Sequence, residues 1–348
     1  MSPQSVLFIG GGSIGHIAPG IAVARALLAL KPDIGVHFIV STRPEDVPFV
    51  EQAGFPVSTI DAPRLSWRFP FAFVRAVHAA RRLLQETNPT VIFSKGGYVS
   101  VPVCLAARRM RIPIILHESD AVSGWANRLV GRWASVICTG FAGSVKNPKA
   151  ICTGIPIRED MTAGSRQRGL AITGLSRIRP VLLVVGGSQG ALELNRAIAR
   201  HLPELLEHCE IIHLTGRGKE TVAGHFPGYW QCPFAVDEYP HLFAAADLAL
   251  SRAGATTLME LAAVGLPAIL VPLEGVAHDH QRRNAEIAVQ SGGCILLEQG
   301  RLPASLVPTV RHLIEASDSR RIMANAIRAL HHPDATRQIA AVIARQLA

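Results

Sequence analysis

Ser251–Asn284 reads SRAGATTLMELAAVGLPAILVPLEGVAHDHQRRN. The apolar run Ala246–Leu250 just before it has the character of a strand buried in a parallel sheet, and the strand gives way to Gly254, which permits a turn at any φ. A helix starts near Ala255. Leu258, Leu261 and Ala262 form its apolar face, and Gly265-Leu266-Pro267 stops it before a second strand, Ala268–Val271. This βαβ unit aims a helix N-terminus, with its N–H groups and positive dipole end, at a phosphate or sugar oxygen. Glu260 can accept hydrogen bonds from a ribose diol, or it can simply be an acid placed favourably near the helix N-terminus. A polar helix from about Asp279 to Gln290 carries Gln281 and Asn284 just inside its start, where amides can meet hydroxyls.

The same order recurs earlier in the chain. Ser5–Ile9 is a buried strand, Gly10–His16 (GGGSIGH) a glycine loop, and Pro19–Leu30 an Ala- and Leu-rich helix. The loop satisfies G-x-G-x-x-G at Gly10, Gly12 and Gly15, which by itself suggests a dinucleotide fold. Such a fold needs an acid after its second strand, yet Val36–Val40 runs into Ser41-Thr42-Arg43, so only a 2′-phosphorylated cofactor on Arg43 keeps that reading alive. His16 follows the glycines at a strand's carboxyl edge, where open α/β sheets bind ligands. Thr90–Phe93 then delivers Ser94–Ser100 (SKGGYVS) to the same edge, and Ile112–Leu116 delivers His117-Glu118-Ser119-Asp120, whose acids are catalytic or orient the loop. Farther on, Val181–Val185 delivers Gly186–Ala191 (GGSQGA), Ile211–Leu214 delivers Thr215–Lys219, and Phe234–Val236 reads as a further short strand.

A chain of 348 residues exceeds one ordinary domain. The Pro- and Gly-punctuated passage Asn147–Glu159 places the boundary between a domain at 1–158 and another at 159–332, with a last amphipathic helix after Pro333. Hydrophobic residues make up 49% and aromatics only 5%, which suits close-packed parallel α/β layers rather than a sandwich or barrel. The net charge of +9 calls for an anionic partner: nucleic acid, an acidic membrane or a phosphorylated substrate. The six cysteines lie scattered in apolar runs with no CxxC spacing, so reduced core residues are expected, and neither a leader at Met1–Gln4 nor a membrane span is read. Arg64–Leu84 gathers Trp67, Phe69, Phe71 and Phe73 among Arg64, Arg68 and Arg75: either a helix whose rings enter the core, or a peripheral membrane patch centred on Trp67, Arg68, Phe69 and Phe71.

Two consecutive doubly wound, Rossmann-like domains with glycine loops resemble the GT-B architecture of nucleotide-sugar transferases. GGGSIGHIAPGIAVA, SKGGYVSVP, HESDAVSGWANR, GIPIRED, VVGGSQGALELN and SRAGATTLMELAAVGLPAILVP occur in the order and spacing of the MurG family, whose members move GlcNAc from UDP-GlcNAc to a lipid-linked muramyl-pentapeptide. The resemblance implies two domains facing a cleft, with the C-terminal helix from about 333 crossing back to the first. It implies UDP-GlcNAc held by Ser13, Asp120, Arg158, Gly187, Ser188, Gln189, Gly190, Val236, Ala255, Thr256, Glu260 and Gln281, and an acceptor diphosphate and hydroxyl held by Gly12, Ile14, Gly15, His16, Gly96, Gly97 and Tyr98. His16 is the expected base, with Glu118 or Asp120 behind it; no metal, cofactor or nucleic acid is expected, and the enzyme should sit peripherally on the cytoplasmic face of a bacterial membrane. The family usually has Gly where Ile14 stands, Asn where Asp120 stands and Arg where Leu192 stands. Ile14 narrows the loop and Asp120 adds a charge, which keeps open a GT-B transferase with another donor or acceptor. The residues also leave room for a UDP-GlcNAc 2-epimerase, a non-catalytic binding subunit and a dinucleotide-dependent oxidoreductase.

Overall fold

Val181–Val185, Ile114–Glu118 and Val91–Ser94 are buried at every position. Strands without a solvent face must be covered by helices on both sides, and a helix that crosses back over the sheet between two strands leaves them parallel. The computed structural model describes residues 4–12, 14–62, 69–187, 189–222, 224–275 and 279–347, the side chain of Phe69 excepted. Within them the chain divides into one unit of 1–158 with 332–348 and a second of 159–331.

The first unit holds β1 (Ser5–Ile9), β2 (Gly35–Ser41), β3 (Val57–Ile60), β4 (Val91–Ser94), β5 (Ile114–Glu118), β6 (Val136–Thr139) and β7 (Ala150–Cys152). They lie in the order β3-β2-β1-β4-β5-β6-β7, every pair parallel. The second unit holds β8 (Val181–Val185), β9 (Glu210–Leu214), β10 (Tyr229–Cys232), β11 (Leu248–Ser251), β12 (Ala268–Leu270) and β13 (Cys294–Leu296), in the order β10-β9-β8-β11-β12-β13 and again parallel. Each sheet reverses its winding once, between β1 and β4 and between β8 and β11. The carboxyl ends at that switch point are where an open α/β sheet leaves a crevice for a ligand.

In the first unit the helix Ala335–Gln346 lays Ile339, Ala340 and Ile343, with Leu347 beyond, against Ile17, Ile21 and Ala24 of the helix Ile14–Leu30. Two readings of the sequence are corrected. The first helix starts at Ile14 rather than Pro19: the buried Ile17 face continues upstream of the proline, which the helix carries in its second turn. The strand expected at 234–236 is instead Tyr229–Cys232, paired in register with Ile211–Leu214, and Phe234–Val236 lies in the loop beyond it.

Candidate functional site: two switch-point clusters

At the first unit's switch point the glycines are required by close packing. A methyl on Gly10 would stand 2.7 Å from the His16 carbonyl oxygen and one on Gly11 would stand 2.7 Å from the Ser41 nitrogen, so the loop lies flat against the helix start and β2. Gly12 has φ +87°, donates its N–H to Asp46 Oδ2 at 3.2 Å, and lies under the Tyr98 ring. His16 therefore occupies the first turn of a helix, half-buried, rather than a loop. Ile14 and Gly15 precede it, also half-buried. The β4 loop is pinned by serines: Ser94 Oγ donates to Ser100 Oγ at 2.9 Å, Ser100 Oγ to the Gly96 carbonyl at 2.6 Å, and Gly96 N–H to Ser94 Oγ at 3.1 Å. Gly96 and Gly97 take φ +83° and +81°, and a methyl at Gly96 would overlap Asn127 Oδ1.

The β5 loop is held by its own acid. Glu118, 1% exposed, accepts the Asp120 N–H at 3.0 Å on one oxygen and Asn127 Nδ2 at 2.9 Å on the other. Burial first, then the Asp120 charge, raises its pKa above the ordinary carboxylate range. Both oxygens thus orient the turn that presents Asp120. Beside it the buried Lys95 Nζ reaches His117 Nδ1 at 2.9 Å and Ser119 Oγ at 2.6 Å.

In the second unit Gly186, Gly187 (φ +79°) and Gly190 (φ +67°) carry the chain from β8 into the helix Leu192–His208. A methyl on Gly190 would stand 2.3 Å from the Thr215 carbonyl oxygen, so this loop nests on the loop after β9. Asn195, 1% exposed, locks the two together by donating to the carbonyls of Thr215 at 2.8 Å and Lys219 at 2.7 Å. Its oxygen meets His213 Nε2 at 3.1 Å.

After β11, Gly254 caps the helix Ala255–Val264 with no side-chain bond, and a Cβ there would meet nothing within 4 Å. The space beside Gly254 therefore lies at the N-terminus of this helix, where backbone N–H groups can meet an anionic group. Glu260 is the sixth residue of the helix, past the reach of the N-terminal dipole, and 8% exposed; Tyr239 Oη donates to its Oε2 at 2.9 Å. Gln281 Oε1 accepts the Leu273 N–H at 3.0 Å. Asn284 is fully buried and gives Nδ2 to the Ala253 carbonyl at 3.1 Å, so it builds the turn before the helix rather than meeting a hydroxyl. Val236, half-buried, directs its N–H to Glu238 Oε2 at 3.4 Å, and Arg158 is the last residue before the second unit begins. Ser13 and Ser188 lie outside the described residues, as do Trp67 and Arg68 of the aromatic patch. Of that patch Phe71 is 85% exposed on the helix Phe69–Thr87, whereas Phe73 packs against the core.

The Glycosyltransferase family 28 N-terminal domain matches residues 6–139, and the Glycosyltransferase family 28 C-terminal domain matches residues 181–339. The UDP-N-acetylglucosamine–N-acetylmuramyl-(pentapeptide) pyrophosphoryl-undecaprenol N-acetylglucosamine transferase of Lachnoclostridium phytofermentans is 36% identical over 98% of each chain. This chain belongs to the MurG family. The solved MurG of Acinetobacter baumannii, at 25% identity, superposes with a TM-score of 0.74 over 99% of this chain and 100% of that one. The UDP-GlcNAc 2-epimerase of Neisseria meningitidis superposes with a TM-score of 0.73 over 98% and 100%, but at 14% identity that is a likeness of fold alone.

In this MurG-family chain several residues that build the site escape a linear reading. Asp46, fully buried, takes the Ser41 hydroxyl as well as the Gly12 N–H. Arg252, 7% exposed and shifted down in pKa by burial, donates to the carbonyls of Val271 at 3.0 Å and Pro272 at 3.3 Å and to Gln299 Oε1 at 2.7 Å. Tyr239, Asn127 and Lys95 complete the set. The only sequence signal for any of them is position: Arg252 lies two residues before the helix-start glycine, and Lys95 directly before a glycine pair.

Proposed function

We propose that the chain is an inverting N-acetylglucosaminyltransferase that moves GlcNAc from UDP-GlcNAc to the 4-hydroxyl of the muramyl sugar on an undecaprenyl-diphosphate-linked pentapeptide acceptor, a step of peptidoglycan synthesis. The observation that carries the donor half is the pairing, on one helix, of an open start at Gly254 with a buried carboxylate, Glu260, which Tyr239 of the neighbouring helix Tyr239–Ala245 holds. Backbone N–H groups near Ala255 and Thr256 and the glycine loop Gly187-Ser188-Gln189-Gly190 receive the diphosphate, Glu260 the ribose, Val236 the uracil and Gln281 the sugar hydroxyls, with Arg158 and Ser13 completing the donor contacts. Gly12, Ile14, Gly15, Gly96, Gly97 and Tyr98 receive the acceptor.

In the reaction the acceptor oxygen forms its bond to the anomeric carbon while the bond from that carbon to the diphosphate oxygen breaks on the opposite face. The electron pair leaves with UDP, and the acceptor proton passes to His16. Glu118 is occupied on both oxygens, so Asp120 is the remaining acid that can steer the hydroxyl. Because a lipid-linked acceptor stays in its bilayer, the exposed Phe71 and Val74, with the exposed Arg75, Arg81 and Arg82 on the same helix, form a reversible membrane-docking face at the cytoplasmic side. Among the described residues no helix is long and apolar enough to cross a membrane.

Radiolabelled UDP-GlcNAc incubated with a lipid-linked muramyl-pentapeptide analogue should give a labelled disaccharide. Label appearing as UDP-ManNAc without acceptor would instead make the chain an epimerase, and no product of either kind would refute both.

A further inference from the structure

Lys95 directly follows β4 and is 3% exposed, yet its amine has defined bonds. His117 Nε2 faces the Gly154 carbonyl at 2.9 Å, and a carbonyl only accepts; that nitrogen therefore carries the ring proton and Nδ1 is left to accept from Lys95. Burial, then the lysine charge, holds the His117 pKa well below the ordinary imidazole range, so the ring stays neutral. The ammonium's second bond goes to Ser119 Oγ. Lys95 is the residue before Gly96 and Ser119 the residue before Asp120, so one ammonium joins the two loops of the acceptor edge. The titratable groups facing it are His117, Glu118, Asp120 and the buried Cys138 thiol, of which Glu118 and Asp120 are its counter-charges.

We propose that Lys95 is a positioning residue for the acceptor: through its bonds to His117 and Ser119 it fixes the Ser119–Asp120 turn beside the Gly96–Gly97 loop, where it stands as a counter-charge to Glu118 and Asp120. The proposal rests on the reading that this edge receives the acceptor. Burial pushes the Lys95 pKa down to about 7, against the pull of Glu118 and then Asp120, so the compensation is strongest on the acid side of neutrality. On the alkaline side the neutral amine still has N–H donors, but Asp120 stands without its counter-charge.

The test uses the full chain with a short water-soluble acceptor analogue, measuring kcat and both KM values from pH 6 to 9 for wild type, Lys95→Met, Asp120→Asn and the double variant. Wild type should show an acceptor KM that rises with pH, with its midpoint near 7. Lys95→Met should raise the acceptor KM at pH 6 by about tenfold, the equivalent of one charge-assisted bond, flatten that profile, and leave the donor KM within about twofold. Adding Asp120→Asn should restore at least about threefold of the loss, since contacting charges couple non-additively. A wild-type pH profile in Lys95→Met, equal losses for donor and acceptor, or strictly additive single changes would overturn the pairing. Should Lys95→Met fail to fold, Ser119→Ala removes one of the two bonds from its half-buried end and should raise the acceptor KM alone; a matching rise for the donor overturns the proposal. A wild type that makes no disaccharide at all is a separate outcome, and it overturns the functional reading on which the proposal rests.

Discussion

The hydroxyl of Tyr239 donates to Glu260 Oε2 at 2.9 Å, so the carboxylate proposed to grip the ribose is fixed by a neighbouring helix before any ligand arrives. Glu260→Ala should weaken UDP binding by about 10- to 100-fold, from the loss of roughly 1.5–3 kcal/mol of hydrogen bonding to a charged group. Tyr239→Phe should cost less, about two- to fivefold, because the carboxylate remains but turns more freely. Calorimetric titration of UDP measures both. Equal binding of UDP and 2′,3′-dideoxy-UDP by wild type would remove Glu260 from the ribose.

Asn284→Ala should act on stability. Leaving the buried Ala253 carbonyl unpaired costs about 1–3 kcal/mol, a drop in Tm of a few degrees. The ratio of affinities for UDP-GlcNAc and UDP should not change. A variant with wild-type Tm and a lost preference for the sugar would return Asn284 to the sugar site.

His16→Ala should lower kcat by about 10²- to 10⁴-fold with the donor KM little altered, the signature of a missing general base. Steady-state kinetics decide it: turnover near wild type would pass the proton-accepting role to Asp120.

What can be read along the chain and what cannot divides by distance. The glycine loops after β1, β4, β8 and β11 are visible because an apolar run, a glycine cluster and a helical stretch follow one another within a few residues, and so is the boundary near Arg158. Strands with polar or exposed positions give no such contrast: Val57–Ile60 and Ala150–Cys152 each show exposed residues, and Tyr229–Cys232 mixes aromatic and amide side chains. The sequence misplaces the start of the first helix because Pro19 imitates a first-turn proline. The polar supports are least visible. Lys95 meets a histidine 22 residues on and Arg252 an amide 47 residues on, and no local periodicity encodes a bond of that span.

Acid should destabilise the second unit through His213. Its pKa is pushed down to about 4 by burial, where the ring bonds Tyr229 Oη at 2.9 Å and Asn195 Oδ1 at 3.1 Å. The folded pKa is depressed, so the unfolded chain binds the proton first. Stability is then intact above the unfolded value near 6.5 and is lost as pH falls toward 4, by roughly 3 kcal/mol in all. Urea unfolding of wild type between pH 7 and 4 should show that slope, and a His213→Gln protein should show less of it.

Phe71→Ser should leave Tm within about a degree, because an exposed side chain contributes little to folding, yet reduce binding to anionic vesicles and slow transfer to long-chain acceptors. Transfer to a short soluble acceptor should persist. A folding defect, or equal loss with both acceptors, would place the ring in the core.

The return of Ala335–Gln346 to the first unit sets an order on biosynthesis. A ribosome emits residues 1–158 long before this helix, and until then Ile17, Ile21 and Ala24 have no partner on that side. The nascent first unit must carry a greasy furrow in the crowded cell while the whole of 159–331, contiguous in sequence, emerges and closes on itself. A nonsense codon near His332 would therefore yield a product whose later-made half is sound and whose earlier-made half is the sticky one, the reverse of the damage a truncation ordinarily does.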